Sequence, residues 1–303
     1  MAVPYIIHRD SKVYLYIGGN ISYSIELLAS DFSFTRTPNK VSYGGGTLHS
    51  PKLVKSRLSN SLSEIDITLK LNLTAEVDCV RALAAMFNCE FTDGITYAEM
   101  ELREDPSLLG SVPVDLYIDS TDTNYIKLGN IVGQSLSLSG STGNVLVAEI
   151  KLKASTLESN VVQPLVSQSV SQDYSKIITT LGQLTLERDS ATELKLNTAS
   201  FGYSRAVKYL NDNSVHYAMS QLPYSPSRPT LGSVTIGGTY RQYATELTYT
   251  EDYGELLVKF CNNLEVELPS CHFITKTVMG DLYMLDVDYH AMPNSTKVLR
   301  IIT

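Results

Sequence analysis

Two pairs of acidic residues are the clearest candidates for chemistry in this sequence. Glu99 and Glu101, like Asp286 and Asp288, are two positions apart in segments of alternating hydrophobicity. On a β-strand, residues at this spacing point to the same face and lie roughly 6.5–7 Å apart. Such a carboxylate pair could hydrolyse a glycosidic bond if one member were desolvated. Acids on open strand faces more often contact solvent, so we expect no catalytic residue and no enzyme.

Other motifs for catalysis, metal binding or phosphate binding are missing from the sequence. The four cysteines form two pairs, and within each pair the residues are ten positions apart, which does not match the spacing of zinc ligands. The five histidines are not spaced as metal ligands or as partners of a catalytic base. The run YGGGT at 43–47 lacks the Lys-Ser/Thr that comes next in a phosphate-binding loop. We therefore expect no metal and no cofactor.

The composition limits the classes of function that fit this chain of 303 residues. Its net charge of −8 excludes a general nucleic-acid binder, which would need a basic stripe. No run of about eighteen apolar residues is present, and the N-terminal sequence does not fit a signal peptide. We therefore expect no membrane contact and synthesis in the cytoplasm. Abundant Tyr, with 19 residues, and a low charged fraction of 18% suit broad protein interfaces.

The two halves of the chain carry related patterns. A shift of 169 residues aligns the segments DFSFTR (31–36) and SFGYSR (200–205). The matched pairs are Phe32 with Phe201, Phe34 with Tyr203, Arg36 with Arg205, Ile65 with Val234 and Ile67 with Ile236. Towards the end of each half the shift shortens to about 137–140 residues, while the order of matches is kept. Such an ordered series predicts a duplicated domain.

The hydrophobic pattern predicts a mainly β fold. In EIDITLKLNL (64–73) apolar and polar residues alternate strictly, as expected for a strand with one buried face. Residues 74–88 instead have helical periodicity, with Thr74 as the expected N-cap. Near 239–254, in the second half, the corresponding helix is expected to be short or lost. We predict two tandem β-sandwich or half-barrel domains, each with at most one short helix.

The domain boundaries can be placed from the repeat and from composition. A weakly patterned stretch at 155–172 is rich in Ser and Gln, which is typical of a linker. The sequence therefore predicts a first domain at 1–160, a linker at 161–172 and a second domain at 173–303.

Each half also contains a long segment after its aromatic-rich strand, at 37–60 and at 206–228. Loops of this length without strong periodicity are usually functional or disordered. The first segment is basic and has no acidic residue, which is unusual in an acidic chain. We expect it to be mobile in the free protein and ordered in an assembly.

This order of elements resembles the tail tube proteins of long-tailed bacteriophages, with the tube domain present twice. The resemblance rests on the strand EIDITLKLNL, the helix AEVDCVRALAAMF and the closing strands around VDLYIDSTDTNYIKLGNIV and LVAEIKLKA. It implies β-sandwich domains that assemble into rings, whose inner sheets form a continuous β-barrel. It also implies a long loop that reaches the next ring, and an electronegative lumen that conducts DNA.

The resemblance assigns candidate roles to two sets of residues. The candidates for ring stacking, in the two long segments, are Lys40, Tyr43, Lys52, Lys55, Arg57, Tyr217, Tyr224 and Arg228. The candidates for lining the lumen, on the polar sides of strands, are Glu64, Asp66, Glu99, Glu101, Glu149, Asp286 and Asp288. An acidic lumen has a physical reason, because like charge keeps DNA from binding to the wall.

The implied partners are those of a virion component. The chain would bind itself in trimeric rings of pseudo-sixfold symmetry, because two domains per chain supply two of six positions. A ring of six chains, with the second domains outside, is the alternative. Further partners would be the tail terminator, the baseplate or tail-tip proteins, the tape-measure protein and, transiently, DNA. Assembly would take place in the cytoplasm of the host bacterium.

Three other functions compete with the tail tube. A baseplate hub or tube-initiating protein can share the same fold. A carbohydrate-binding adhesion module would need aromatic residues clustered at loop tips, for which Tyr217, Tyr224 and Tyr240 are candidates. A hydrolase would use the paired acids.

Overall fold

A computed structural model shows that the protein is mainly β, as the sequence predicted. The structure describes residues 5–6, 12–18, 21–36, 39–47, 50–59, 65–102, 113–121, 124–141, 144–162, 164–179, 184–192, 196–210, 228–244, 246–279, 282–293 and 296–302.

One α-helix and 23 strands lie within these residues. The helix is α1 (Val77–Phe87), and a 3₁₀ turn spans Tyr174–Lys176. The strands of the first half are β1 (Tyr5–Ile6), β2 (Val13–Ile17), β3 (Tyr23–Leu27), β4 (Ala29–Arg36), β5 (Asn39–Thr47), β6 (Ser50–Ser59), β7 (Ile65–Asn72), β8 (Glu90–Asp93), β9 (Tyr97–Glu101), β10 (Val114–Thr121), β11 (Asn124–Gly129), β12 (Val132–Ser141), β13 (Val147–Ala154) and β14 (Thr156–Val161). The later strands are β15 (Gln168–Ser171), β16 (Thr185–Arg188), β17 (Ala191–Thr192), β18 (Leu196–Leu210), β19 (Arg228–Tyr243), β20 (Tyr249–Cys261), β21 (Leu264–Val278), β22 (Met284–Ala291) and β23 (Val298–Ile302).

Strand β7 shows why the chain forms sheets with one buried face. Ile65, Ile67 and Leu69 are at most 1% exposed, whereas Asp66 and Thr68 between them are exposed. The alternation in the sequence therefore becomes an apolar face and a polar face, as predicted.

A long antiparallel layer runs through both halves of the chain. Its strands have the order β4-β7-β13-β12-β18-β19-β22-β21, and we call this set, with β21 taken from residue 271 onward, the shared layer. In the first half a second sheet, in the order β14-β11-β10-β2-β3-β15, supplies the other side of the core. In the second half β17, β16, the later part of β20 and the earlier part of β21 do so, continued by β23, β9 and β8. Buried residues from most of these strands and from α1 form one hydrophobic cluster.

The same strand order and register recur in the two halves of the shared layer. Phe32 lies opposite Leu69 where β4 pairs with β7, and Phe201 lies opposite Gly238 where β18 pairs with β19. Both members of the second pair are 169 residues after those of the first. Arg36 opposite Ile65 and Arg205 opposite Val234 are related in the same way. The strands matched in the sequence thus hold equivalent positions in the fold.

Helix α1 is shorter than predicted, because Thr74 is not its N-cap. Thr74 is buried and forms an isolated β-bridge with Ile177, and the helix begins only at Val77. The N-cap is Glu76, whose side chain caps no backbone N–H. In the second half the described part of 239–254 is strand at 239–243 and 249–254 and contains no helix, as expected.

The stretch expected to be a linker contains two strands of the first half's second sheet. Strand β14 pairs with β11, and β15 pairs in parallel with β3 over Gln168–Ser171. Residues 173–179 then return to the shared layer, where Ile178 bonds to Leu73 and Leu146. The chain between the halves is therefore integrated into the first half.

Candidate functional site

The polar face of the shared layer carries most of the residues that the sequence predicted to line a lumen. Of the seven predicted lumen residues, the structure brings four to this face: Asp66 on β7, Glu149 on β13, and Asp286 and Asp288 on β22. They alternate with buried residues such as Ile150 and Val287, so their side chains point away from the core.

Each of these four carboxylates lies beside a cation. In the first half Lys153 Nζ is 3.6 Å from Asp66, and Lys70 Nζ is 3.9 Å from Glu149. These are long, largely exposed contacts, which contribute little to stability.

The ion pairs of the second half are closer. Arg241 donates to both carboxylate oxygens of Asp286, with a distance of 2.9 Å from Nη2, and Lys276 Nζ is 3.1 Å from Asp288. The hydrogen bond that Arg241 donates to Asp286, and then the charge of Asp286, raise the pKa of Arg241. Acid catalysis would need one carboxyl group that is desolvated and has no cation beside it. Asp286 and Asp288 each contact a cation, so neither is in that state.

The polar face is consequently charge-balanced over the described residues. Five acids (Asp31, Asp66, Glu149, Asp286 and Asp288) share it with five cations (Lys70, Lys151, Lys153, Arg241 and Lys276). Between them, β12 and β18 contribute hydroxyl groups from Ser135, Ser137, Ser139, Ser200 and Ser204. The acids therefore do not give this face the net negative charge that the sequence suggested.

The remaining lumen candidates are not on this face. Glu99 and Glu101 lie on β9, between β8 and β23, where they alternate with the buried residues Ala98 and Met100. Arg300 donates to Glu99 at 3.1 Å and stacks its guanidinium over the ring of Tyr97. Glu64 lies outside the described residues.

The first long segment forms a hairpin, where the sequence predicted a loop. β5 and β6 pair with each other over Asn39–Thr47 and Ser50–Ser59, and with no other strand in the described part of the chain. Lys40 and Tyr43 are on β5, and Lys52, Lys55 and Arg57 are on β6. In the second segment Tyr217 and Tyr224 lie outside the described residues, and Arg228 opens β19 opposite Leu210.

The aromatic cluster expected of an adhesion module loses one of its members. Tyr240 is only 2% exposed, because it points from β19 into the core and packs against Tyr289. Its ring therefore cannot be an exposed sugar-stacking platform, and that interpretation of Tyr240 was wrong.

The junction of the two halves is a site that sequence reasoning missed. Strands β12 and β18 pair through seven residues on each side, from Ser135 opposite Ser204 to Ser141 opposite Thr198. On the buried side Leu136 lies opposite Tyr203 and Leu138 opposite Phe201. The two halves are thus joined by a continuous ladder and a continuous core.

Arg205 fastens this junction to the end of α1. The arginine is only 7% exposed, and donates from Nη2 to the carbonyl of Phe87 at 2.7 Å and from Nε to that of Gly133 at 2.8 Å. The Phe87 ring also packs edge-on against Tyr203, with the ring centroids 5.5 Å apart. Gly133 is required here, because a Cβ would lie 2.4 Å from the Phe87 ring. The repeated arginine was the only sequence signal for this contact.

Other kinds of site find little support in the described residues. They contain no group of three or more His, Cys, Asp or Glu side chains placed to hold a metal ion. All four cysteines are free. A small cleft of about 190 Å³ in the second half is lined by Glu187, Asp189, Glu255 and Glu267, of which Glu187 is bound by Lys259. None of the helical residues described forms a segment that could cross a membrane.

Comparison with known proteins does not assign the chain to a family. No protein-family model matches the sequence, and no curated protein matches it significantly.

Proposed function

We propose that this protein is a structural component of a bacteriophage virion, which polymerises into rings that stack to form the tail tube. The observation that carries the proposal is the shared layer, in which a ladder between β12 and β18 joins two halves of equal strand order and register. A heterologous joint of this kind, repeated between chains, closes into a ring when the rotation per copy divides a full turn.

The internal repeat favours three chains per ring. The single-domain tube proteins that the chain resembles close their barrel with six copies, and we infer that two duplicated domains per chain replace two such copies. Tethering neighbouring domains also gives each a high effective concentration for the other, so half of the joints form without a bimolecular step. The ring would have true threefold and approximate sixfold symmetry.

The polar face of the shared layer would line the lumen. Among the described residues, all of its charges except Lys151 are in ion pairs and its centre is rich in Ser, so it offers DNA no patch of several unpaired cations that would hold phosphates. The buried face cannot line the lumen, because it holds the hydrophobic core. Glu99 and Glu101, on β9, would not contact DNA in this arrangement.

The hairpin of β5 and β6 would join one ring to the next. It pairs with no other described strand and its sequence is basic, which suits contact with the acidic remainder of a neighbouring copy. The ends of the tube would contact the tail terminator and the baseplate or tail-tip proteins, and the lumen would hold the tape-measure protein before DNA passes.

Electron microscopy of the purified protein tests this function. We expect hollow tubes whose cross-section contains three chains, with both halves of each chain in the barrel wall. Protein that stays monomeric at all concentrations and ionic strengths would contradict the proposal. Isolated rings that do not stack would favour a hub or tube-initiating role, and six chains per ring would refute the trimer alone.

A further inference from the structure

Both outer edges of the shared layer are covered by the chain's own residues. At one end β1 pairs with β4 through only two residues, Tyr5 opposite Phe34 and Ile6 opposite Ser33. At the other end residues 249–254 of β20 pair with residues 271–276 of β21. Uncovered edges would offer free N–H and C=O groups to any other chain, so their coverage protects the free protein from aggregation.

Residues 249–254, which we call the edge segment, form a separate and largely exposed part of β20. A break in register between Gly254 and Leu256 separates them from the rest of β20, which pairs with the earlier part of β21. The side chains of Tyr249 and Tyr253 are both 67% exposed, so the segment buries little apolar surface. Besides its six residue pairs with β21, it is held by an ion pair of Asp252 with Arg188 and by the ring of Tyr253, whose centroid is 4.9 Å from that of His272.

The edge under this segment corresponds to the edge of β12 that binds β18. Leu138 on β12 and Thr275 on β21 hold equivalent positions, because their partners Ala148 and Val287 lie opposite Leu71 and Tyr240. Leu71 and Tyr240 are themselves related by the 169-residue repeat. The edge of β12 in the first half is therefore paired with β18 of the second half. Within the described part of the chain, the equivalent edge of β21 is covered only by the edge segment.

Transferring the register of β12 and β18 to β21 and β4 predicts a second joint. Leu138 opposite Phe201 becomes Thr275 opposite Phe32, and Leu136 opposite Tyr203 becomes Phe273 opposite Phe34. All four side chains of the new pairs are at most 8% exposed and face the core in the chain. The buried faces of the two strands would thus meet on the same side.

The polar side of this transferred register is complementary as well. Ser139 opposite Ser200 becomes Lys276 opposite Asp31. Lys276 and Asp31 are both on the polar face, with side chains that are 48% and 64% exposed. Opposite charges directly across a ladder are favourable, and nothing in the transfer of register required them to coincide.

We propose that residues 271–278 of β21 are the docking edge for β4 of a second copy of this chain, and that the edge segment leaves this position when the copies join. The two residue pairs of β1 would leave β4 in the same step. The six residue pairs of the edge segment and the two of β1 would be replaced by seven pairs between β21 and β4 of the second copy. The number of ladder pairs would hardly change, while the hydrophobic core would become continuous between chains. The inference rests on the proposed ring assembly and names its joint.

A disulfide that locks the edge segment tests the proposal. Thr250 and Thr275 lie directly opposite each other, so the double variant T250C/T275C can cross-link the segment to β21. We expect the oxidised variant to remain monomeric and folded, and to regain ring formation after reduction. The matched control is L257C/E267C, which cross-links the part of β20 that stays in place and should assemble in both redox states.

The outcomes separate this proposal from the function on which it rests. Normal assembly of the oxidised T250C/T275C variant would overturn the displacement of the edge segment, while leaving ring formation intact. Failure of the wild-type protein to assemble would instead refute the proposed function.

Charge reversal checks the register independently. K276E and D31K should each slow assembly, and the double variant K276E/D31K should assemble faster than either. A double variant no faster than its parents would overturn the transferred register. Thermal unfolding of the free chains verifies that all three variants are folded.

Discussion

The two halves of the shared layer differ in the element that follows β7 in the first half and β19 in the second half. After β7 the first half forms α1, and the Phe87 ring at its end lies under the junction with the second half. After β19 the second half passes directly to β20, whose first residues cover the edge of β21. The first half therefore has an edge that is closed by a core contact, and the second half has an edge that is closed by an exposed segment.

In the proposed assembly, this difference separates a permanent joint from an exchangeable one. At the permanent joint, Arg205 binds two carbonyl groups of the first half, and aromatic rings fill the space below β12 and β18. At the other edge the Tyr side chains are exposed and the register is broken, and release would have to break the ion pair of Asp252 with Arg188 and the contact of Tyr253 with His272. One architecture used twice can thus provide both a stable chain and a site for assembly.

Removing the tip of the hairpin should have the largest effect, because stacking of rings is all-or-none. We expect deletion of residues 42–50 to abolish tubes and to leave single rings of folded protein, since β5 and β6 pair with no other described strand. Circular dichroism and electron microscopy measure the two results. Tubes of normal length from the deleted protein would show that the hairpin does not join rings.

Replacing the two arginines that the 169-residue repeat relates, Arg36 and Arg205, compares the two joints in the free chain. R205A should lower the free energy of unfolding by roughly 3–5 kcal/mol, because two buried carbonyl groups lose a charged donor and the core loses volume. R36A, at the equivalent but half-buried position, should change it by at most about 1 kcal/mol. Urea denaturation of both variants measures the difference. Equal losses would mean that the two arginines are equivalent before assembly.

Much of the fold could be predicted from the sequence, because each strand carries its own alternation. Local periodicity is enough to predict the strand at 65–72 and the helix near 77–87, and the shift of 169 residues placed Phe32 and Phe201 on equivalent strands. Polar stretches were harder to assign. The hairpin at 39–59 and the strands β14 and β15 are held by backbone pairing, which leaves no strong hydrophobic period.

The candidate site was less predictable, because its properties depend on partners far apart in the sequence. The acids Asp286 and Asp288 are on the polar face as expected, but their cations Arg241 and Lys276 are on two other strands. Arg205 bonds to residues 72 and 118 positions away. Thr74 has a hydroxyl that suits a helix cap, yet a bridge to Ile177 holds the residue in a strand-like position. Local patterns identify the face of a residue and do not identify its neighbour across the sheet.

Buried thiols in the two halves should make the protein less stable in alkali. Burial raises the pKa of Cys79 to about 11 and that of Cys271 to about 12. Unfolded thiols ionise above about pH 8.5, while the folded ones stay protonated, so stability is lost as pH rises from there. Each thiol should contribute about 1.4 kcal/mol of loss per pH unit until its folded pKa is reached.

Single substitutions assign this loss to one half or the other. C79A and C271A should each reduce the slope of unfolding free energy against pH by about 1.4 kcal/mol per unit between roughly pH 9 and 10.5. Urea denaturation at several pH values gives the slopes. A slope that remains at the wild-type value in both variants would show that other groups dominate the alkaline transition.

The ion pairs on the polar face provide the smallest contrast between the halves. Arg241 holds both oxygens of Asp286, while Lys70 reaches Glu149 at 3.9 Å by a single contact. All these groups are at least partly exposed, so solvent weakens both attractions. A two-point contact between planar groups fixes geometry better than one flexible ammonium does. Double-mutant cycles with R241A/D286A and K70A/E149A should therefore give the larger coupling energy in the second half. That coupling should shrink in about 1 M salt, where the Debye length is about 3 Å. Equal couplings in the two cycles would mean that Arg241 does not keep its two-point contact in solution, and that the polar faces of the two halves respond to charge in the same way.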